Sequence, residues 1–400
     1  MVDLGCVKEK LGRLRVAMLL PLWFFLSAFY YLGNFLTGRV LVELNDDLAH
    51  RLLKYVIAFF VCSFFVVSKR LWGVLFIYAF LSLCMVVFVF FGIYGLDVLY
   101  PIALLLVVFS FIGFTYISAT ISENDLSGVL DVIVISAFLV SIISFYEYFF
   151  MWSILGEYWK ENGGYRSIST LLNPNNLGVY LGAALIILIL RPRFSSCLRI
   201  LFIFTVLAAL LMSGSRTAIV SLFIPVFIGF FFNGSPRVSS RIYLLLFFSF
   251  LVFLVALIVH FGGGGLGGRL SDMQSASIRL NKYIYFMSSF DYTYLFPDFS
   301  SSRFYYVSES SYFHFINAFG LLMSSLLAIV LLFFLRVDVS RVGDSLSRRV
   351  LLFVFIYYLT VFLFENAIVS FPNNQLFFFA AGALLRPVIV SINFKGFKIV

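Results

Sequence analysis

The stretch LLNPNNLGVYLGAALIILILRPRFSSCLRILFIFTVLAALLMSGSRTAIVSLFIPVFIGFFF, residues 171–232, decides the fold. Its only charged residues are Arg191, Arg193, Arg199 and Arg216, with no acidic residue among them. Between those arginines and the Asn/Pro/Gly clusters lie apolar runs at 176–190, 198–212 and 217–232. Such runs predict three consecutive helices in lipid, because a spanning helix consists of about 20 mostly apolar residues. The first two are short, which fits little tilt or a locally thinned bilayer.

The rest of the 400 residues reads the same way. Only 12% are charged and 62% are hydrophobic, including 53 Phe. A soluble domain carries about 25% charged residues. A soluble globular protein and a disordered chain are both excluded, since no single soluble core hides so much apolar side chain. Further spans are expected near 16–35, 52–68, 71–92, 99–121, 128–151, 242–261, 311–335, 350–366 and 374–391. Twelve spans use roughly 240 residues. That leaves loops and one modest extramembrane segment, 262–310, but no soluble catalytic domain. The expected fold is an all-α, polytopic membrane helix bundle forming a single transmembrane domain over 1–400. The first run is too long for a signal-peptide core, so it is expected to be a span and not a cleaved leader.

The net charge of +9 would suggest nucleic acid in a soluble protein. Here it sets topology, because short loops rich in Lys and Arg stay in the cytoplasm. With twelve spans, the side holding both termini carries 18 of the 28 basic residues and the other side 10. Both termini are therefore expected in the cytoplasm and loop 262–310 outside. Cys6, Cys62, Cys84 and Cys197 all fall outside the segments assigned to the exterior, and no CxxC or Cys/His spacing suggests a metal. No disulfide, metal or cofactor is expected.

Several outer polar residues need more than anchoring to explain them. Arg39, Arg51 and Lys54 flank helices and can snorkel. Arg166, Arg216, Arg269, Arg279 and Arg303 instead share loops with Gly, Asn and Ser. Arg216 ends LMSGSR (211–216), where Gly214 permits a tight turn and Ser213 or Ser215 can cap the next helix. A helix N-terminus beside a guanidinium makes an anion site, and Arg suits a phosphate or diphosphate through its planar fork. The alternative is an Arg snorkelling beside a turn. Asn173-Pro174-Asn175-Asn176 marks a helix start, with Asn173 or Asn175 as cap and Pro174 in the first turn. GGYRSIS (163–169) places Arg166 beside two glycines, a second place where backbone can closely approach an anion.

Loop 262–310 opens with GGGGLGG (262–268), which lacks the Gly-Lys-Ser/Thr ending of a P-loop and reads as a hinge. IRLNKYIYFMSSF (278–290) is amphipathic, with Tyr283, Tyr285 and Phe286 placed for a headgroup layer. SESSYFHFINAFG (308–320) opens the tenth span, with Glu309 at its outer mouth either as a helix cap or as a general base. His314 follows on an aromatic helix, where packing is the commoner role, and Tyr312 reads as an interface anchor. Membrane-embedded carboxylates usually face a partner, so Glu147 and Glu365 are expected to pair with loop arginines.

LLNPNNLGVYL, LLMSGSRTAIV, SIRLNKY and ESSYFHFINAFGLL, in that order over 165–325, resemble the O-antigen polymerase (Wzy-type) and ligase superfamily. The resemblance implies a GT-C-like glycosyltransferase of the bacterial cell inner membrane with a large periplasmic loop. It implies undecaprenyl-diphosphate-linked oligosaccharides as substrates, no metal or nucleotide sugar, membrane lipid around the bundle, and no nucleic-acid partner. A chain-length regulator is a possible further partner. Arg216 matches the arginine of the Ser-Gly-Ser-Arg loop that contacts the diphosphate, and Arg279 with Tyr283 matches the R-x-x-x-Y/W pattern of the large loop. Glu309 stands where ligases carry a His three residues before a Tyr, here Tyr312, a departure from the ligase pattern.

The resulting site assigns catalysis to Glu309, Arg216 and Arg279. Substrate binding falls to Arg166, Asn173, Asn175, Ser213, Ser215, Arg269, Tyr283, Arg303, Tyr312 and His314. Two other readings stand beside polymerase. An O-antigen ligase would move glycan to lipid A-core, and a flippase would carry the lipid-linked oligosaccharide across without forming a bond.

Overall fold

The computed structural model describes residues 19–31, 113–115, 117–119, 121–152, 159–161, 164–171, 173–191, 193–232, 274–295, 310–313, 316, 320–322, 324–325, 345–365, 367 and 370–391. The expected spans 52–68, 71–92 and 242–261 lie outside these residues. The described elements run in chain order as α1 (Leu19–Ala28), α2 (Glu123–Phe150), β1 (Trp159–Glu161), β2 (Gly164–Arg166), α3 (Pro174–Leu190), α4 (Ser196–Ser213), α5 (Arg216–Phe232), α6 (Gln274–Ser288), α7 (Leu346–Phe364) and α8 (Asn373–Ser391). A 3-10 turn, Tyr292–Leu295, follows α6.

Almost everything described is helix. The exception is an antiparallel hairpin of β1 and β2, pairing Trp159 with Arg166 and Glu161 with Gly164. The apolar pattern gave no sign of it, because its residues are too few to show an alternation. Three helices, α2, α4 and α7, are long and apolar enough to cross a membrane, and α1, α3 and part of α5 are shorter apolar helices. Helices α2 and α7 begin earlier than their apolar runs do. Ser122 and Ser345 cap them, each accepting from a backbone N–H three residues on.

Helix α3 is the centre of the described helices. It packs against α2, α4, α5, α7 and α8, and every residue from Leu177 to Leu188 is buried. A helix apolar on all faces is accommodated by lipid or by neighbours, and here neighbours cover its whole middle. Two glycines one turn apart let those neighbours in. A Cβ at Gly178 would stand 2.3 Å from the Cβ of Ser215, and one at Gly182 would stand 2.1 Å from the Tyr357 hydroxyl. Small residues at this spacing are the usual means of close helix approach in lipid. The outer helices turn large apolar side chains away from α3: Ile135, Leu139 and Ile142 on α2, Ile200, Leu201 and Phe204 on α4, and Val220, Ile224 and Phe227 on α5.

At one end of the bundle, charge ties the helices together. Asp131 takes Arg191 at 2.7 Å and Arg193 at 3.2 Å. Burial lowers the Arg191 pKa, and the Asp131 carboxylate opposes that shift. Arg199 donates to the last carbonyls of α3, those of Leu188 at 3.0 Å and Ile189 at 2.7 Å. Glu123 accepts from the backbone N–H of Ser347 at 3.2 Å, beside the Arg348 guanidinium. The opposite end holds the C-terminal ends of α2, α4 and α7 and the N-termini of α3, α5 and α8.

Candidate functional site

The site begins with a carboxylate near the C-terminal end of α2. Glu147, 4% exposed, accepts from the Ser167 hydroxyl at 2.8 Å and from the backbone N–H groups of Ile168 and Ser169 at 3.1 and 2.5 Å. Ser169 adopts a left-handed backbone (φ 48) and donates its hydroxyl to the Val140 carbonyl at 2.8 Å. The segment after β2 is thereby folded down into the bundle, with Thr170 donating to the Ala28 carbonyl at 2.6 Å. Glu147 holds loop backbone, a role its sequence position did not reveal.

Arg166 leads into this segment and is itself 5% exposed. Its Nε donates to the Ser213 carbonyl at 2.8 Å and its Nη2 to Asn175 Oδ1 at 2.6 Å. The guanidinium thus joins the end of α4 to the start of α3, and the Ser167 N–H adds a bond to the Met212 carbonyl at 3.2 Å. Asn173 caps α3, accepting from the Asn175 N–H at 2.8 Å, with Pro174 in the first turn as expected.

The turn from α4 to α5 consists of Gly214 and Ser215. Gly214 takes the left-handed conformation (φ 60) that a residue bearing Cβ rarely adopts. Ser213 donates its hydroxyl back to the Leu210 carbonyl at 2.6 Å and accepts from the Ser215 N–H at 3.3 Å. The Ser215 hydroxyl is buried at the start of α5 and has no partner among the described residues. Arg216 is the first residue of α5 and is half-buried, so its charge sits at the positive end of that helix.

Helix α6 comes to the same place from the large loop. Arg279 Nη2 lies 2.8 Å from Glu365 Oε1, and its Nη1 donates to the Thr217 hydroxyl at 3.0 Å. Thr217 in turn donates to Glu365 at 3.2 Å. The expected pairing of Glu365 with a loop arginine is observed. Tyr283, one turn further along α6, donates its hydroxyl to the Leu363 carbonyl. Ser310, Ser311 and Tyr312 donate to the carbonyls of Phe362, Glu365 and Leu359 at 3.0, 2.8 and 3.0 Å. The hydroxyls of Tyr283 and Ser310 thereby satisfy two carbonyls in the last turn of α7, where a helix leaves them without intrahelical partners, and that of Ser311 meets the cap residue Glu365. Phe286 completes the junction, its ring centroid 4.3 Å from that of Phe313.

The structure brings Arg166, Asn173, Asn175, Ser213, Ser215, Arg216, Arg279, Tyr283 and Tyr312 to one end of the bundle. Glu309, Arg269, Arg303 and His314 lie outside the described residues. Thr217 was not singled out in the sequence, although it directly follows Arg216 and a β-branched hydroxyl at a helix start is a usable signal. No family model, curated protein or solved structure matches the chain.

Proposed function

We propose that the chain is a polytopic, GT-C-like membrane glycosyltransferase of about twelve spans. In this reading it joins undecaprenyl-diphosphate-linked oligosaccharides into long surface polysaccharide at the periplasmic face of the bacterial inner membrane. One observation carries the reading. The N-terminus of α5, with Arg216 and a Ser215 hydroxyl that has no partner among the described residues, meets Arg279 of the large loop through Thr217. A helix N-terminus with two guanidiniums from distant segments suits a diphosphate.

The chemistry follows from where charge develops. Breaking the bond between sugar C1 and the diphosphate oxygen leaves negative charge on the departing lipid diphosphate. Arg216 and Arg279 stabilise that charge more in the transition state than in the ground state. Arg166 positions: it fixes the α3 and α4 ends that carry Asn175 and Ser213. Glu365 holds the Arg279 fork in place before substrate arrives. Glu309 is assigned the proton from the acceptor hydroxyl, which attacks C1 as the diphosphate departs. Asn173, Asn175, Tyr283, Tyr312 and His314, with Arg269 and Arg303, are assigned to glycan and phosphate contacts, and loop 262–310 to keeping water out.

The test is a reconstitution with an undecaprenyl-diphosphate-linked single repeat as sole substrate. Polymer is the expected product. A requirement for lipid A-core would make the protein a ligase, and translocation without a new glycosidic bond would make it a flippase. Replacing Arg216 or Arg279 with Ala should cut polymer yield by about 10²-fold or more, the usual cost of losing one preorganised donor. Arg216→Lys should also fail, because an ammonium does not reproduce the fork. Normal chain length in Arg216→Ala and Arg279→Ala protein that still inserts defeats the assignment.

A further inference from the structure

Helix α8 begins at the same end of the bundle with three consecutive carboxamides, Asn373, Asn374 and Gln375, all fully buried. Asn373 is satisfied: it donates to the Asn176 carbonyl at 3.0 Å and accepts from the Tyr358 hydroxyl at 3.0 Å. Gln375 is held by one atom only, its Oε1 accepting from the Trp23 indole N–H at 2.8 Å. Its Nε2, and both Nδ2 and Oδ1 of Asn374, have no partner among the described residues. Buried amides are almost always bonded, so three unmet atoms on adjacent residues mark a place for a partner that the described residues do not supply.

The chemistry of that partner follows from what this helix end offers. The backbone N–H groups of Asn374, Gln375 and Leu376 already donate to Ser370 and Pro372 carbonyls at 2.9, 3.1 and 3.3 Å. The first turn of α8 therefore has these donors spent, and it carries no charged side chain. What remains is a neutral carboxamide with donor and acceptor side by side, plus a second amide N–H. That set matches hydroxyl groups, which both donate and accept, and not a phosphate. Asn373 ties it to the charged part of the site, because Asn176 follows Asn175, the residue that receives the Arg166 guanidinium.

We propose that Asn374 and Gln375 form a glycan subsite that takes the hydroxyls of a sugar attached to the lipid diphosphate. The inference rests on the function proposed above and divides that site in two. Arginines at α5 and α6 take the diphosphate, and uncharged amides at α8 take the sugar.

The experiment uses the full chain in nanodiscs and measures retention of three probes: bare undecaprenyl diphosphate, its N-acetylglucosamine conjugate and its galactose conjugate. Wild-type protein should hold a sugar-bearing probe roughly tenfold tighter than the bare one, as expected when buried amides gain their missing bonds. Asn374→Leu should erase that preference and leave binding of the bare lipid unchanged. Gln375→Met is the second variant, should the first not fold, and should reduce the preference in the same direction. Equal retention of all three probes by wild type overturns the subsite. So does an Asn374→Leu protein that melts higher and still prefers the sugar-bearing probe, because the amide would then be only an unmet polar group. Failure to bind bare undecaprenyl diphosphate, or binding unaffected by Arg279→Ala, overturns the diphosphate reading instead.

Discussion

Arg166 and Glu147 show how buried charge is used at this rim. Each bonds groups that would otherwise be stranded: the Ser213 carbonyl and Asn175 for one, the Ser167 hydroxyl and the N–H groups of Ile168 and Ser169 for the other. Bonds of this charge-assisted kind contribute about 1.5–3 kcal/mol. Glu147→Gln keeps the shape but loses the charge that strengthens those bonds, and Arg166→Lys loses the fork. Each should therefore lower the thermal midpoint in detergent, by an amount corresponding to roughly 1–3 kcal/mol. An unchanged midpoint in both variants would show that the segment after β2 is held by something else. In the sequence Arg166 was legible as unusual because it stood among glycines. Its partners were not, since Ser213 is 47 residues away and contributes only a backbone carbonyl. Glu365 was readable as a paired carboxylate, while which arginine it met depended on how α6 docks.

Among the elements, α3 was legible as a span but not as the hub. Its run of apolar residues fixes helix and solvent, yet centrality depends on five neighbours arriving from distant parts of the chain. The spacing of Gly178 and Gly182 was the available signal, since glycines one turn apart in an apolar helix mark close approach. Gly182→Ala should be destabilising by about 1–3 kcal/mol, because the added carbon would need room now filled by the Tyr357 ring. Tyr357→Phe should do the opposite and raise the midpoint modestly. Its hydroxyl is fully buried without a partner among the described residues, so removing it removes a desolvated polar group. Equal stability of the wild type and both variants would mean that α3 and α7 are loosely packed. The β1–β2 hairpin was missed for a different reason: three residues per strand give no periodicity to detect.

Across the molecule, the described residues divide polarity between two ends with apolar surface between them. One end is cross-linked by Arg191, Arg193, Arg199, Asp131 and Glu123. The other carries the candidate site, and the C-terminal end of α2 with the residues just after it exposes Tyr146, Phe149, Phe150 and Trp152, the composition of an interfacial aromatic belt. Under the topology expected from the basic residues, the first end would face the cytoplasm. Cys197 lies there, free and exposed. With Cys6, Cys62 and Cys84 replaced by Ser, a membrane-impermeant maleimide should label Cys197 only after the cells are opened. A cysteine introduced at Tyr292, which is 77% exposed on the opposite side, should react in intact cells. The reverse pattern would invert the topology and place the arginines on the wrong face for a periplasmic reaction.

The corner between α4 and α5 is pinned against α3. Only Gly214 and Ser215 separate the two helices, Gly178 of α3 sits against that corner without a side chain, and Arg166 staples its Ser213 carbonyl to Asn175 at the start of α3. Three helices so joined at their tips have little freedom to move against one another. Under the function proposed above, this corner would be the stationary jamb of the rim, and any widening that admits a lipid tail would fall to other helices.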